Sequence, residues 1–412
     1  MSHPKMGYTY VGIDSHKDTH TAVLLDCFFQ KLGELTFANL PSKFGDFLKQ
    51  AEKLKIDNTE LLFGLEDISA YGRQLTVYLI KHNQPVKHVN ALLVARERQN
   101  QNITYKTDSK DAECAARVLL SKLDTLPDAK PEDKYWILRT LVIRRDSIIK
   151  HNTALKNQLH DLLSIHYPRY HDYFKTIDSK TSFAFFMHFP SPSTLKNTNL
   201  KELTKFLHQH SKGQFREEKA EEIWNSLEDT GVEYQEIRDS TVQSTIRQLQ
   251  FNQQEIEQIE KSLATFLTQF ECTLTSMTGI DIVTAAQMLS CIGDIKKFSS
   301  PAKLARYSGV APVSYSSGKK DMQYANKRGN RELNSLFYCL AVRLISAAAP
   351  RNKAINPFFY EYYHRKLSEG KTKKQALKCV QRRLVNIIWT MLTNNEDYVN
   401  PPMIEIPNKK VI

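Results

Sequence analysis

Alternating strand and helix patterns fill the first third of the chain. Three segments rich in β-branched, aromatic and other apolar residues, YTYVGID, HTAVLLD and KLGELTFA, predict consecutive strands joined by short turns. Helical spacing in PSKFGDFLKQAEKL precedes a compact apolar strand, LLFGLED. Further helix and strand patterns alternate as far as DSKDAECAARVLLSK, a helix that starts with a cap-like Asp108. This order predicts an α/β domain with a mixed sheet over residues 1–125.

A heptad pattern begins after the Pro- and charge-rich linker at residues 124–133. Apolar residues between Leu138 and Leu162 fall on heptad a and d positions. Arg145 and Asn152 occupy two of the a positions, where polar side chains trade stability for a defined register. This segment therefore predicts a long helix that packs against another helix.

A second long helical pattern runs over residues 233–268. Together with the heptad segment it predicts a coiled-coil region over residues 134–268, used either as a hairpin or for dimerisation. Between the two helices, about residues 168–230 predict a small helical insert.

The remainder predicts an all-helical domain over residues 270–395, followed by a tail at 396–412. Gly279 is expected in a tight turn between two helices, and Gly293 at the end of the second of them. This arrangement resembles a helix-hairpin-helix, whose turn amides commonly hold a phosphate.

The positive charge of the chain is concentrated near its C-terminal end. The whole sequence carries a formal net charge of +12, yet residues 296–384 contain 20 Lys and Arg against four acids, so that the rest is acidic overall. A concentrated cationic region is typical of a polyanion partner, most often nucleic acid. Basic helices near residues 371–383 are therefore expected to bind nucleic acid in a strongly salt-dependent way.

Cysteine usage and hydropathy exclude several classes of protein. The six cysteines are scattered without a CxxC pair, which argues against a zinc site and a disulfide framework and favours a reducing cytoplasm. No apolar run approaches the roughly 20 residues that span a bilayer. The first residues lack the apolar core of a secretory signal, so no membrane association is expected.

Acidic side chains stand at the ends of predicted strands and at the start of a helix. Asp14 ends the first strand, Glu66 ends the fourth, and Asp108 and Asp111 share one face of a helix start. Four converging carboxylates repel one another unless cations neutralise them, and oxygen ligands in that number suit Mg²⁺ or Mn²⁺. Two such ions can clamp the attacking and leaving oxygens of a phosphodiester.

Other polar residues near these acids are expected to have different roles. Asp26 and Asp67 are interpreted as structural residues of turns, as is Asp18. Three further residues are interpreted as surface polar residues, although their positions also allow them to reach a phosphate: His16, Lys17 and His20.

A second cluster combines serine with basic residues. Ser316, Ser317 and Gly318 follow a proline-bearing turn, and five cations surround them in sequence: Lys319, Lys320, Lys327, Arg328 and Arg331. Serine is a weak nucleophile and needs activation, and nearby cations can stabilise the charge that develops on an attacked phosphate. Taken alone, however, the serine pair is also typical of an ordinary loop.

Taken together, these segments resemble the DEDD transposases of the IS110 group of insertion sequences, which are bridge-RNA-guided serine recombinases. VGIDSHKDTHTAVLLD, GLEDISAYGRQL and KTDSKDAECAARVL resemble the RuvC-like, RNase H-like first domain of that group. The segment from MTGIDIVTAAQML to NKRGNRELN resembles its C-terminal transposase domain. The resemblance covers nearly the whole chain.

The resemblance implies roles for five residues. The acidic tetrad falls on Asp14, Glu66, Asp108 and Asp111, and the catalytic serine falls on Ser317, with Ser316 as the contender. It implies attack by Ser317 on a DNA phosphodiester, a transient phosphoserine link and strand exchange, with Mg²⁺ held by the tetrad beside that serine, across protomers.

The partners implied by the resemblance are donor and target DNA and a structured non-coding guide RNA. A homodimer or homotetramer and a bacterial, cytoplasmic, nucleoid-associated location are also expected. Two alternatives stay open: a RuvC-like metal-dependent junction-resolving nuclease that makes no use of the serine, and a non-catalytic scaffold that binds RNA or DNA.

Overall fold

The structure is a computed structural model in which the chain forms two compact units, Met1–Ile137 and Leu138–Ile412. It describes the following residues: 4–68, 70–102, 105–131, 134–228, 233–317, 320–324, 326–348 and 353–399. The finer division predicted from the sequence, with boundaries near 125, 134, 268 and 270, stays a prediction. Each unit is described by itself below.

A five-stranded sheet forms the centre of the first unit. Its strands are β1 (Tyr8–Ser15), β2 (Thr19–Leu25), β3 (Lys31–Ala38), β4 (Glu60–Leu65) and β5 (Val86–His88). They lie in the order β3-β2-β1-β4-β5, with antiparallel pairing among the first three strands of the chain and parallel pairing of β1 with β4 and of β4 with β5. This confirms the mixed α/β sheet predicted from the alternating patterns.

Helices cover both faces of the sheet. They are α1 (Pro41–Leu54), α2 (Arg73–Lys81), α3 (Ala91–Asn100) and α4 (Asp108–Ser121). Since successive strand residues point to opposite faces, Val11 and Ile13 pack with α1 and α2, whereas Tyr10 packs with α4. The central strand is therefore buried on both sides, which explains its near-continuous apolar sequence.

Gly12 allows α4 to lie directly on β1. A Cβ atom at this position would lie 2.2 Å from the Ala112 carbonyl oxygen and 2.2 Å from the Ala116 backbone nitrogen. Both atoms belong to the backbone of α4, so they cannot swing aside as a side chain would. The contact therefore fixes the distance between the strand that carries Asp14 and the helix that carries Asp108.

We expect Gly12→Ala to destabilise the protein by at least about 2 kcal/mol, because the added methyl group has to push a helix backbone off the sheet. Thermal unfolding of the full chain measures the effect. Gly7→Ala is the matched control, since a Cβ at Gly7 meets nothing within 4 Å. Equal melting temperatures for the two variants would contradict this account of the contact.

Two long helices, α5 (Lys134–His166) and α11 (Gln235–Leu267), provide the framework of the middle of the chain. They run antiparallel, because Arg145 pairs with Glu260 at 2.7 Å and Asn252 donates to the Asn152 side-chain oxygen at 2.7 Å. Both asparagines are buried. The two polar heptad positions thus have partners within the same chain, while the coiled-coil description itself stays a prediction.

In the described part of the chain between these two lie five short helices: α6 (Tyr170–Tyr173), α7 (Lys180–His188), α8 (Pro192–Lys196), α9 (Leu200–His210) and α10 (Glu217–Asn225). They enclose an aromatic core, in which Phe185 and Phe186 pack against Tyr167 and Tyr173.

The C-terminal part is mostly helical. Its helices are α12 (Ile282–Ile292), α13 (Pro301–Tyr307), α14 (Arg331–Ile345), α15 (Pro357–Ser368) and α16 (Lys373–Asn394). Gly279 and Gly293 have φ of +94° and +65°, as expected for a turn and a helix end. A 3₁₀ turn at Leu274–Ser276 precedes Gly279, and the helix-hairpin-helix description stays a prediction.

The expectation of an all-helical C-terminal domain is wrong in one respect. Two antiparallel ribbons interrupt the helices, formed by β6 (Val313–Ser317) with β7 (Lys320–Tyr324) and by β8 (Ala347–Ala348) with β9 (Lys353–Ala354). Val313 and Tyr315 favour extended structure, so the serine pair ends a strand instead of lying in a loop. Among the described residues, no helix is both long and apolar enough to cross a membrane.

Candidate metal centre and serine segment

Asp14 and Glu66 leave the sheet at the same edge. β1 and β4 are parallel neighbours in which Ile13 lies opposite Leu65; Asp14 is the next residue of β1, and Glu66 directly follows β4. The carboxyl ends of parallel strands meet at one edge of a sheet, and that edge is where open α/β sheets bind ligands. The Asp14 side chain is only 14% exposed, so a rigid strand and its neighbours hold this carboxylate in place.

The start of α4 brings Asp108 and Asp111 to the same region. The cap of this helix is Thr107, whose hydroxyl accepts from the Lys110 backbone N–H at 3.3 Å, and not Asp108 as the sequence suggested. Asp108 is the first helical residue, so its carboxylate is not used as the cap. Asp111, one turn later, is 6% exposed and forms ion pairs with Arg98 and, at 3.6 Å, with Lys106.

His16 connects two of the acids, a role that its sequence context does not predict, whereas the interpretation of His20 as a surface residue is wrong because His20 is buried. Its Nε2 atom lies 3.0 Å from Asp14 Oδ2 and 3.2 Å from Asp108 Oδ1. One ligand atom from each of the three residues lies within 4.8 Å of the other two. The available signal was the spacing: a residue two positions after Asp14 on an extended segment lies on the same side as Asp14.

The electrostatics confirm that the acids lie close enough to affect one another. Burial raises the pKa of Asp14, the hydrogen bond with His16 opposes this rise, and the Asp111 and Asp108 carboxylates add to it. Burial also raises the pKa of Glu66, with a further rise from Asp14 and Asp111. The structure therefore gathers all four predicted acids and His16 at one sheet edge, where negative charge is unfavourable without a cation.

This donor set fits a hard divalent cation. Carboxylate oxygens are the ligands that Mg²⁺ and Mn²⁺ prefer, and Mn²⁺ also accepts imidazole nitrogen. Burial first, and repulsion among the acids second, raise the pKa values of Asp14 and Glu66, and a bound cation would stabilise the charged carboxylates against both effects. The ion pairs of Arg98 and Lys106 with Asp111 already offset part of the negative charge of these acids.

Asn39 supports the loops around these acids. Its side-chain N–H₂ group donates to the backbone carbonyls of His16 at 3.3 Å, Lys17 at 3.2 Å and Tyr71 at 3.1 Å. These contacts tie the turn after β1 to the loop that follows Glu66. Asn39 thereby fixes the position of His16 relative to the end of β4.

Two acids interpreted as structural have that role. Asp26 accepts from the backbone N–H groups of Phe28 and Gln30 at 2.8 and 2.7 Å. The Asp67 carboxylate accepts from Ala70 and Tyr71 at 2.8 and 2.7 Å. Asp67 stabilises the turn beside Glu66, whereas Asp26 stabilises the turn after β2 at the opposite end of the sheet, so neither belongs to the group of acids around Asp14.

The serine segment lies in the second unit. Ser317 is the last residue of β6 and pairs in register with Lys320 of β7. Lys319 lies outside the described residues, as does Gly318. Among the predicted cations, Lys327, Arg328 and Arg331 are exposed, and the Arg328 backbone N–H donates to the Asn326 side chain at 3.0 Å.

A mixed sheet with acids at one edge, followed along the chain by a basic helical region, is consistent with an RNase H-like DNA transposase. Comparison with protein families agrees: a DEDD transposase model of the IS110 type matches residues 11–168, and the model described as Transposase IS116/IS110/IS902 family matches residues 272–358. The chain belongs to the IS110 family of insertion-sequence transposases. It is therefore a DNA-recombining enzyme whose substrate is DNA.

Individual relatives support this assignment over nearly the full length. The uncharacterized 44.8 kDa protein of insertion element IS116 from Streptomyces clavuligerus is 26% identical over 402 residues, which cover 95% of this chain and 96% of the relative. The pilin gene-inverting protein of Moraxella lacunata is 24% identical over 95% of this chain and 98% of its own. The 43.6 kDa protein of IS110 from Streptomyces coelicolor is 34% identical over 126 residues, 30% of this chain and 29% of the relative.

Proposed function

We propose that this transposase moves its insertion sequence by RNA-guided DNA strand exchange, with Ser317 as the nucleophile and Mg²⁺ held by Asp14, Glu66, Asp108 and Asp111. The observation that carries the proposal is the gathering of these acids at one edge of the sheet, with Asp14 and Asp108 joined through His16. Carboxylates this close together destabilise the folded protein unless they bind cations.

The four acids of the tetrad would hold the metal ion, with Mn²⁺ as a possible substitute, and His16 lies where it can contribute a nitrogen. When bound, Mg²⁺ supplies positive charge that offsets the charge developing on a reacting phosphodiester. The residues of this chain orient that charge: β1 fixes Asp14, the close contact at Gly12 fixes α4 with Asp108, and Asn39 fixes the turn that carries His16.

The serine chemistry proposed here conserves phosphodiester bonds. As the bond from Ser317 Oγ to phosphorus forms, the bond from phosphorus to the leaving strand oxygen breaks, and the proton lost from Oγ ends on that oxygen. A hydroxyl of the partner strand then attacks the same phosphorus, and Ser317 Oγ leaves and regains a proton. The number of ester bonds is unchanged, so no external energy source is required.

The names of two relatives favour strand exchange over simple cleavage. The relatives from Moraxella are named for inverting a pilin gene, and an inversion requires that cut strands be rejoined. A junction-resolving nuclease has no need of a protein-linked intermediate. We therefore place recombination ahead of the nuclease and scaffold alternatives, and we propose a homodimer or homotetramer as the active form.

The guide RNA is the part of the proposal that separates this enzyme from a protein that reads DNA sequence itself. If base pairing identifies the sites, the protein needs to contact mainly backbone and shape. The 20 Lys and Arg of residues 296–384 suit that task, since they attract phosphates regardless of sequence.

Sequencing of the RNA that copurifies with the full-length protein tests RNA guidance. We expect one structured RNA encoded by the same element, with loops complementary to donor and target DNA. Removal of this RNA is expected to abolish strand exchange in the presence of Mg²⁺, and adding it back to restore the activity. Recombination at an unchanged rate by RNA-free protein would contradict RNA guidance without affecting the assignment of the acids.

A further inference from the structure

A basic cavity lies at the junction of α15 and α16 in the second unit. It has a volume of about 360 Å³, and Tyr362, Lys378, Arg382 and Arg383 contribute to its lining. Val310 and Pro312 form an apolar part of the wall. The lining contains three cationic side chains and no carboxylate.

The three cations are not neutralised by described parts of the chain. Among the described residues, Lys378, Arg382 and Arg383 form no ion pair with an acid, whereas Lys366 of the neighbouring helix pairs with Glu369 at 2.7 Å. Lys378 is also half-buried, and burial lowers the pKa of its amine. An anion bound in the cavity would stabilise these charges.

Both guanidinium groups are held in defined positions. Arg382 donates to the Pro301 carbonyl at 3.2 Å. Arg383 lies over the rings of Phe358 and Tyr362, with 5.1 and 5.6 Å to the ring centres. A guanidinium stacked on an aromatic face keeps its N–H edge available for a phosphate, and little conformational entropy is lost when it binds.

The position of the cavity connects it with the serine segment. Pro312, which lines the cavity, directly precedes β6, and Ser317 is the last residue of that strand. Five extended residues span about 17 Å. A nucleic-acid strand whose backbone is bound in the cavity can therefore reach Ser317 within a few nucleotides.

We propose that the cavity lined by Tyr362, Lys378, Arg382 and Arg383 is a phosphodiester-binding site that holds the backbone of a nucleic-acid strand near the serine segment. This inference rests on the proposed function and adds a defined anchor point to it. The ligand chemistry is a backbone phosphate held by Lys378, Arg382 and Arg383.

Binding measurements on the full-length chain test the site. Fluorescence anisotropy with labelled single-stranded DNA and RNA of one sequence, over a series of salt concentrations, compares wild type with Lys378→Gln/Arg383→Gln. We expect about tenfold weaker binding and a salt dependence shallower by about one unit of slope. A larger loss of affinity for DNA than for RNA assigns the site to the substrate strand. A larger loss of affinity for RNA assigns it to the guide.

The matched control is Lys373→Gln/Lys374→Gln, which removes the same charge from exposed positions of the same helix. Its affinity for the oligonucleotides is expected to be closer to that of the wild type than to that of the cavity variant. Equal losses for the two double variants would show diffuse attraction and overturn the proposal, as would unchanged binding by the cavity variant.

A second measurement uses the wild-type protein and does not depend on how the variants fold. Acetylation of lysines, read by mass spectrometry, is expected to slow at Lys378 when the oligonucleotide is present, and more than at Lys373 or Lys374. Equal protection of all three lysines would contradict the site. Neither measurement involves cleavage, so a failure here is separate from a failure to detect a serine-linked intermediate.

Discussion

Ser317→Ala is expected to abolish both strand cleavage and the covalent protein–DNA adduct. Removal of the hydroxyl leaves no atom to form the bond to phosphorus, and loss of a catalytic nucleophile costs about 10⁶-fold in rate, which here means no detectable product. A suicide DNA substrate, denaturing gel electrophoresis and mass spectrometry of the linked peptide measure the adduct. Binding of DNA is expected to persist, because the cations around this segment are unchanged.

Ser316→Ala is the matched control for that experiment, since it removes the same group one residue earlier in β6. It is expected to retain the adduct. If Ser317→Ala stays active and the variant lacking both hydroxyls is active as well, the recombinase mechanism is wrong and the junction-resolving nuclease becomes the better account.

Asp14→Asn is the second change with a large expected effect. The substitution keeps the shape of the side chain but removes the negative charge that the proposed metal site requires. Loss of a residue that only supports a metal ligand costs about 10–100-fold in activity or metal affinity, so loss of the ligand itself is expected to exceed about 100-fold. Strand-exchange rates and calorimetric titration with Mg²⁺ measure the two consequences separately.

Asp18→Asn serves as the control, because Asp18 is an exposed acid in the turn that follows β1. It is expected to bind Mg²⁺ and to exchange strands as wild type does. If Asp14→Asn matched this control in both measurements, the acids at the sheet edge would not be the metal centre.

The sheet could be predicted from sequence because each strand is a short apolar run with turn residues at both ends. The placement of Asp14 and Glu66 followed from the same patterns, since both acids end strands that are parallel neighbours. The local sequence determines where each strand begins and ends. For that reason the elements of the first unit agree with the structure strand by strand.

Contacts between residues that are far apart in the sequence could not be predicted from local patterns. The contact between His16 and Asp108 joins the turn after β1 to a helix far along the sequence, and no local pattern encodes the rotation of the imidazole. The sequence predicts the cap one residue too late, at Asp108 instead of Thr107, because Asp and Thr are both good caps. It does not predict the ribbon of β6 and β7, because these strands are short and rich in serine and charge.

The middle helices illustrate an intermediate case. The heptad pattern identified Arg145 and Asn152 as polar residues in a seam, which indicates that register is specified there. It did not identify Glu260 and Asn252 as their partners, because pairing depends on how two helices meet in space.

The close contact at Gly12 has a consequence for protein synthesis. Asp14 leaves the ribosome early, whereas α4 emerges only after most of the first unit has been made, at roughly 5–20 residues per second. Until α4 has docked against the exposed backbone of Gly12, Asp108 and Asp111 are absent from the sheet edge. Nascent chains that end before α4 thus lack Asp108 and Asp111, and the four acids come together only when the first unit is nearly complete.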